Sequence, residues 1–304
     1  KIAKIVFEIN KLNVLRNIWE ESQELRLLHC HTETPSPQSS GSAIRIPELR
    51  FTRGQADIHV KDLIVKAGKI FALTGANGSG KSSFFRVMMA CDTNRKPISL
   101  HQSISVKGRN TSAIIFMPSS DVVEVTQQIY WPLHSKPLEW ILQRRVDSVG
   151  DAYLEKKQIE LVQLLKEIEF LGMDSNSLQG DYENLIENML TEQRDWFSKL
   201  SGGQKAKIEL VRKVFRLEKC PNVLLLDESF AAVDPSSKST IFKKLRDFCA
   251  SRGSIVFIIY HTDLTKTASN SSCVHSTSNG DLFDETIHFE NGIATIMPVC
   301  KNQN

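Results

Sequence analysis

The sequence lacks any long hydrophobic run. Its longest uninterrupted apolar stretch extends only from Ile255 to Tyr260. A helix needs about 20 predominantly apolar residues to cross a bilayer. We therefore predict no membrane-spanning segment within the sequence.

The chain also lacks a strong charge imbalance and a metal-binding cysteine pattern. Its formal net charge of +3 is too small to indicate a nucleic-acid partner without a clustered basic face, and we expect none. None of the cysteines forms a CxxC pair or has a histidine at ligand spacing. We predict reduced, mostly buried thiols for Cys30, Cys91, Cys220, Cys249, Cys273 and Cys300.

The first 43 residues separate into two segments. Residues 1–30 carry apolar side chains at three- and four-residue spacing, which is typical of an amphipathic helix. This helix either packs on the following domain or forms the cytosolic end of a membrane-spanning helix. Residues 31–43 are rich in Pro and Ser, and we predict a flexible linker there.

The pattern changes to α/β over residues 44–297, with a short tail at 298–304. Short apolar runs alternate with long helical stretches, which favours strands buried on both faces of a largely parallel sheet. We predict strands at Ile70–Thr74, Ala113–Met117, Val223–Leu226 and Ile255–Tyr260. A hairpin near Asn291 adds a small antiparallel β region, and residues of about 133–203 form an inserted α-helical subdomain.

A phosphate-binding loop follows the first of these strands. Residues 75–82 match GxxxxGK[ST] between a strand and a helical run, the context that a P-loop NTPase requires. Backbone N–H groups would surround an anion, Lys81 would reach the β- and γ-phosphates of ATP, and the Ser82 hydroxyl would bind Mg²⁺. The predicted nucleotide contacts are Gly75, Ala76, Asn77, Gly78, Ser79, Gly80, Lys81, Ser82 and Ser83.

Two carboxylates follow the apolar run that begins at Val223. Charge at a buried strand end is costly unless a cation or a reacting water lies there. We predict that Asp227 holds Mg²⁺ through water and that Glu228 activates the attacking water. The alternative is a strand end whose acids simply face solvent.

A glycine pair at the start of a predicted helix is the most specific motif. Leu200-Ser201-Gly202-Gly203-Gln204 lies between the phosphate loop and the acidic strand end, and it resembles the signature of ABC ATPases. In that family, Ser201 and its neighbours would contact ATP bound to a second ABC domain. The resemblance implies a head-to-tail dimer, homomeric or heteromeric.

Two further elements resemble the family. Residues 232–235 are similar to its D-loop, which would bring Asp234 to the dimer interface and the nucleotide. His261 follows the strand Ile255–Tyr260 and resembles the switch histidine that contacts the γ-phosphate. Both assignments depend on the order of the motifs.

The sequence departs from the family pattern at two positions. The family has a metal-contacting glutamine after the strand corresponding to Ala113–Met117, where this chain has Ser119; Gln127 and Gln128 lie nearby but displaced. We therefore assign Ser119 to the catalytic site. Arg53 occupies the position of the adenine-stacking aromatic, with Phe51 as the other candidate.

The type of ABC protein rests on few residues. Residues 194–201 are similar to the segment that precedes the signature in the fatty-acyl half-transporters of subfamily D. This implies an ATP-hydrolysing cassette of an export-type half-transporter at the cytosolic face of a membrane, peroxisomal if it is of subfamily D. Its transmembrane domain would lie upstream of Lys1 or on a partner chain.

Two other functions stay open. A regulatory cassette would bind ATP with little hydrolysis, as the residue Ser119 suggests, whereas Glu228 favours turnover. A soluble, non-transport ABC ATPase is the other alternative, although such factors usually carry two cassettes.

Overall fold

The structure is a computed structural model, and it describes residues 29–32, 43–53, 56–90, 112–118, 121–126, 129–172, 179–227, 230, 232–260 and 282–299. Within these ranges, no helix is long and apolar enough to cross a membrane.

The described residues form twelve strands and six α-helices. The strands are β1 (His29–Thr32), β2 (Ala43–Arg53), β3 (Ala56–Lys66), β4 (Lys69–Gly75), β5 (Ser112–Met117), β6 (Val122–Val125), β7 (His134–Ser135), β8 (Gln193–Arg194), β9 (Val223–Asp227), β10 (Ile255–Ile259), β11 (Glu285–Glu290) and β12 (Ile293–Pro298). The helices are α1 (Lys81–Ala90), α2 (Pro137–Leu142), α3 (Asp151–Glu167), α4 (Gln179–Met189), α5 (Gly202–Leu210) and α6 (Pro235–Phe248).

Ten strands form one sheet in the order β1-β5-β2-β3-β12-β11-β4-β10-β9-β6. The five strands from β11 to β6 are all parallel. Antiparallel pairs join β2 to β3, β2 to β5 and β11 to β12. The predicted fold class, a largely parallel sheet with a smaller antiparallel region, is confirmed.

The parallel strands are apolar throughout because both faces of the sheet are covered. Successive side chains of a strand point to opposite faces, so Val256 and Ile258 of β10 pack into one hydrophobic core and Phe257 and Ile259 pack into another. All five residues of β10 are buried. This explains why the sequence shows an unbroken apolar run there instead of an alternating one.

The neighbour of β9 is a strand that the sequence analysis did not predict. The predicted strand Ala113–Met117 is part of β5, which pairs with β1 and β2 and not with β9. The strand beside β9 is β6, where Val122 pairs with Val223. Sequence reasoning missed β6 because it has only four residues and Glu124 interrupts its apolar pattern.

A helical insertion lies between β7 and β8, which pair His134 with Arg194. It contains α2, α3 and α4, and α3 buries Leu161 and Leu165. The inserted α-helical subdomain of the predicted fold class is therefore present.

The N-terminal prediction needs a correction. Residues 29–32 form β1, which pairs in parallel with β5, although they were expected to end a helix and begin a flexible linker. The edge of β5 offers unpaired backbone groups that an added strand satisfies. The predicted helix over residues 1–28 and the rest of the linker up to residue 42 lie outside the described residues.

The prediction of reduced thiols is wrong for two cysteines. Cys220 and Cys249 form a disulfide, with their Cα atoms 5.1 Å apart. Cys220 precedes β9 and Cys249 follows α6, so the fold brings together residues separated by 29 positions. Spacing along the sequence gave no sign of this pair.

The predicted C-terminal hairpin is confirmed. Asn291 and Gly292 join β11 to β12 with φ values of 50° and 79°. Positive φ at both central residues matches the right-handed twist of the strands, and Asn-Gly tolerates that conformation best. The hairpin places β11 directly beside β4.

Candidate active site

The phosphate loop joins the end of β4 to the start of α1. Its glycines at 75, 78 and 80 have φ values of 138°, 79° and 108°. A Cβ atom on Gly75 would lie 2.3 Å from the carbonyl oxygen of Phe289, on the neighbouring β11. Only glycine fits this conformation and this close approach of two backbones.

Lys81 places a buried ammonium group against this loop. The residue is 6% exposed, and its Nζ donates hydrogen bonds to the carbonyl oxygens of Gly75 (2.8 Å) and Ala76 (2.9 Å). The hydroxyl of Ser79 is buried and has no hydrogen-bond partner within the part of the chain that the structure describes. A buried cation and a free donor at one loop fit the oxygens of a phosphate chain.

The acidic strand end lies at the same edge of the sheet. Ile259 of β10 pairs with Leu73 of β4 on one side and with Asp227 of β9 on the other. The carboxyl ends of these three parallel strands therefore meet where the phosphate loop begins. In the sequence, Glu228 follows Asp227 directly, and His261 follows two positions after Ile259.

Ser201 is the N-cap of α5. Its Oγ accepts a hydrogen bond from the backbone N–H of Gln204 (3.2 Å), and its own N–H donates to Oε1 of Gln204 (3.0 Å). This reciprocal pair is a capping box, and it fixes the first turn of the helix. Ser201 and Gly202 are exposed, so this helix end can receive an anion from outside.

The two signature glycines are packed against the D-loop. A Cβ on Gly202 would lie 2.9 Å from the Cβ of Ala232, and one on Gly203 would lie 2.9 Å from the carbonyl oxygen of Ala232. Real Cβ atoms avoid such distances, so both positions require glycine. The two predicted interface loops are therefore one contiguous surface.

Asp234 extends this surface. Its carboxylate accepts a hydrogen bond from the backbone N–H of Ser237 (2.8 Å) and caps α6. That bond is the main reason why the pKa of Asp234 lies below its ordinary value, and the ammonium of Lys207 adds to the effect. The side chain is 53% exposed, so its free edge can contact a partner.

Two further predictions concern adenine and the metal. Phe51 is 1% exposed and packs in the core, which rules it out as an adenine platform. The side chain of Arg53 and the residues Ser119, Glu228 and His261 lie outside the described residues, so these assignments stay predictions. The Ser82 hydroxyl and the Asp227 carboxylate are oxygen ligands of the kind that Mg²⁺ prefers.

The sequence profile of the ABC transporter family matches residues 58–231, which are more than half of the chain. The chain belongs to the ABC transporter family. It is an ATP-binding cassette, which is an ATPase domain, and the matched region includes the phosphate loop, the signature and Asp227.

Several curated proteins are similar to this cassette. Multidrug resistance protein 1 of Plasmodium falciparum is 27% identical over 249 residues, which cover 72% of this chain and 17% of that protein. Octopine permease ATP-binding protein P of Agrobacterium tumefaciens is 22% identical, and the match covers 84% of that protein. Methionine import ATP-binding protein MetN of Helicobacter acinonychis is 26% identical, and the match covers 60% of that protein. The chain thus spans less than a fifth of the multidrug resistance protein.

Solved structures share the fold. A bacterial Atm1-family ABC exporter with ATP bound has a TM-score of 0.56 and 15% identity, covering 90% of this chain and 41% of its own. A metal-chelate type ABC transporter in an inward-facing conformation has a TM-score of 0.52 and 19% identity, covering 84% and 83%. At these identities, the likeness concerns the fold alone.

The strand order also changes how the missing glutamine is interpreted. The strand beside β9 is β6, and Gln127 follows Val125, the last residue of β6, by two positions. Ser119 follows β5, which lies away from β9 in the sheet order. Ser119 and Gln127 both lie outside the described residues, so the assignment of Ser119 stays a prediction.

Proposed function

We propose that this cassette binds Mg-ATP at its phosphate loop and hydrolyses it to power a membrane transporter. The observation that carries the proposal is the glycine-rich loop itself. It holds the buried ammonium of Lys81 and the buried hydroxyl of Ser79, which has no hydrogen-bond partner among the described residues. Residues 75–83 would hold the phosphates, and Ser82 and Asp227 would hold Mg²⁺, which neutralises charge on the phosphates.

Hydrolysis would use groups at the carboxyl edge of the sheet. Glu228 orients the attacking water and accepts its proton, and His261 contacts the γ-phosphate. Gln127, not Ser119, would be the polar residue that serves the metal site, because in the sequence it follows β6, the strand that neighbours β9. This assignment argues against a regulatory cassette with little hydrolysis, an alternative that rested on Ser119.

A second cassette would complete the site. The exposed N-cap of α5 and the exposed edge of Asp234 belong to one surface, joined through Ala232. An anion bound at the phosphate loop of another cassette would meet this helix end, where N–H groups and the helix dipole favour negative charge. The dimer contains either two copies or two related chains.

A transmembrane partner has a candidate contact surface. Tyr130 and Leu133 are 84% and 64% exposed. They flank Trp131, whose ring stacks on Phe197 at the base of the helical insertion, with 5.6 Å between centroids. Exposed apolar side chains on a rigid aromatic base suit a protein contact. In the sequence, this surface follows shortly after Gln127, the residue proposed to serve the metal site.

The finer proposal is an export-type half-transporter with a lipid or fatty-acyl substrate, at a membrane's cytosolic face. It rests on the similarity of residues 194–201 to subfamily D, which would make the membrane peroxisomal. The names of the similar proteins include import and multidrug resistance components, and none supports subfamily D. Transport by an ABC cassette is the part of this proposal with wider support.

The test is a comparison of the intact chain with Glu228→Gln. We expect the variant to bind ATP and form the ATP-dependent dimer, while turnover falls by roughly 100-fold or more because the general base is lost. Glu218→Gln is the matched control, since Glu218 is exposed and lies beyond the C-terminal end of α5, whereas the signature lies at its start. Normal turnover in Glu228→Gln would disprove the proposed hydrolytic mechanism.

A further inference from the structure

A buried lysine follows the signature, and the proposed mechanism does not use it. Lys207 lies in α5 and is 4% exposed. Its Nζ donates hydrogen bonds to the carbonyl oxygen of Glu169 (2.7 Å) and to the Oγ of Ser237 (2.7 Å), and it lies 3.6 Å from Oδ2 of Asp234. All three N–H donors of the ammonium thus have an acceptor nearby.

The first acceptor ties the helical insertion into this cluster. Glu169 follows α3 and has a positive φ of 53°. Its carboxylate accepts hydrogen bonds from the hydroxyls of Ser237 (3.2 Å) and Thr240 (3.1 Å), both on α6. The end of α3 is therefore held to the first two turns of the helix that follows the D-loop.

The second and third acceptors orient the D-loop. Asp234 uses one carboxylate oxygen to cap α6 and turns the other towards Lys207. Burial lowers the pKa of Lys207, and the negative charges of Asp234 and Glu169 oppose that shift. Burying an ammonium group costs free energy unless it is paired and hydrogen-bonded. Lys207, Asp234 and Glu169 therefore fix one another's positions.

We propose that Lys207 is a positioning residue for ATP hydrolysis, acting through Asp234. Its ammonium fixes the carboxylate of Asp234 relative to the signature helix, and thereby sets the shape of the surface that closes over the partner's nucleotide. The inference rests on the proposed two-cassette site. A misplacement of about 1 Å at such a site can lower a rate by roughly 100-fold.

This mechanism separates turnover from nucleotide binding. Lys207, Glu169, Asp234 and Ser237 lie on α3, α5 and α6 or beside them, whereas the phosphate loop lies between β4 and α1. Loss of the ammonium leaves the hydrogen bonds of Lys81 to Gly75 and Ala76 in place. A single cassette should therefore bind ATP normally when Lys207 is changed.

The experiment compares Lys207→Met with Lys207→Arg in the full chain. Methionine keeps much of the side-chain volume without the charge, and arginine restores the charge and the donors. We expect kcat to fall by roughly 10- to 100-fold in Lys207→Met, with unchanged affinity for a fluorescent ATP analogue and partial recovery in Lys207→Arg. Lys238→Met is the control, because Lys238 is a partly exposed lysine on the same first turn of α6 as Ser237.

A double mutant tests the route through Asp234. If Lys207 acts through that carboxylate, Lys207→Met should lower kcat little further in an Asp234→Asn background. If the two substitutions instead lower kcat by independent factors that multiply in the double mutant, or if Lys207→Met has normal turnover, the inference is wrong. Should Lys207→Met fail to fold, Ser237→Ala removes a smaller part of the same network. It must likewise lower kcat and leave the affinity for the ATP analogue unchanged.

The wild-type chain distinguishes the two proposals. Absence of ATP turnover in the wild type would contradict the proposed function itself. Turnover in the wild type together with normal kcat in both Lys207→Met and Ser237→Ala would contradict only the inference on Lys207.

Discussion

Gly203 lies so close to Ala232 that a Cβ on the glycine would come within 2.9 Å of the alanine's carbonyl oxygen. The signature helix and the D-loop are separated by about 30 positions in the sequence, yet they share this backbone contact. Glycine is needed here for close packing between two segments of one chain, in addition to any contact with a phosphate. The contact makes the two loops one contiguous surface.

Gly203→Ala should therefore destabilise the cassette and lower ATP turnover. The added methyl group meets backbone atoms that cannot rotate away, which typically costs about 1–3 kcal/mol. Urea unfolding measures the loss, and a steady-state ATPase assay measures the effect on turnover. Gly180→Ala is the control, because a Cβ there meets nothing within 4 Å and Gly180 lies in α4, where alanine is the better helix former. Equal stability of Gly203→Ala and the wild type would contradict the packing argument.

The sequence predicted those parts of the fold and site that depend on local patterns. β4, β9 and β10 were visible as apolar runs because both faces of each strand are buried, and the phosphate loop was visible because its glycines are forced by positive φ. The short strand β6 was not, because Glu124 breaks its pattern and its place beside β9 is a tertiary property.

Contacts between residues far apart in the sequence could not be predicted from local patterns either. The disulfide between Cys220 and Cys249 and the contacts of Lys207 with Glu169 join segments that no spacing rule connects. Asp234 was identified through its motif, but its link to Lys207 required the packing of α5 against α6.

Removing the ammonium of Lys81 should abolish tight nucleotide binding. Lys81→Ala leaves the carbonyl groups of Gly75 and Ala76 facing the loop without their cation, and these would repel phosphate oxygens. A fluorescent ATP analogue titrated into the full chain should show the loss. Lys61→Ala is the control, since Lys61 is exposed on β3. Unchanged ATP affinity in Lys81→Ala would count against the phosphate-loop assignment.

Reduction of the disulfide should lower stability without changing the fold. The bond closes a loop between residues separated by 29 positions. By lowering the entropy of the unfolded chain, such a bond stabilises the fold by about 3–4 kcal/mol. We expect a lower urea midpoint in the presence of dithiothreitol, and no such dependence in a Cys220→Ala, Cys249→Ala double variant. Thiol alkylation followed by mass spectrometry would test the bond directly, and full labelling of both cysteines in native, unreduced protein would contradict it.

Asp234 should contribute to stability in a pH-dependent manner. Its pKa is lowered in the folded chain, chiefly by the N–H of Ser237, so its contribution is present above the ordinary aspartate pKa of about 3.9 and disappears as pH falls through the lower folded value. Because the side chain is 53% exposed, we expect an effect below about 1 kcal/mol. Asp234→Asn keeps a capping oxygen, so the stability difference between the two proteins should shrink between pH 6 and acid conditions, measured by urea unfolding. A difference that grows on acidification would reverse the assigned direction of the shift.

The two candidates for the metal-side polar residue give opposite predictions. If Gln127 serves the site, Gln127→Ala should lower kcat by roughly 10-fold or more and raise the Mg²⁺ concentration needed for half-maximal turnover, because a polar contact to the metal or its water is lost. Ser119→Ala should then behave as the wild type, since Ser119 follows β5, which pairs with β1 and β2. Steady-state ATPase assays over a range of Mg²⁺ concentrations measure both variants. The reverse result, with Ser119→Ala impaired and Gln127→Ala normal, would restore the serine to the site and with it the case for a weakly hydrolysing, regulatory cassette.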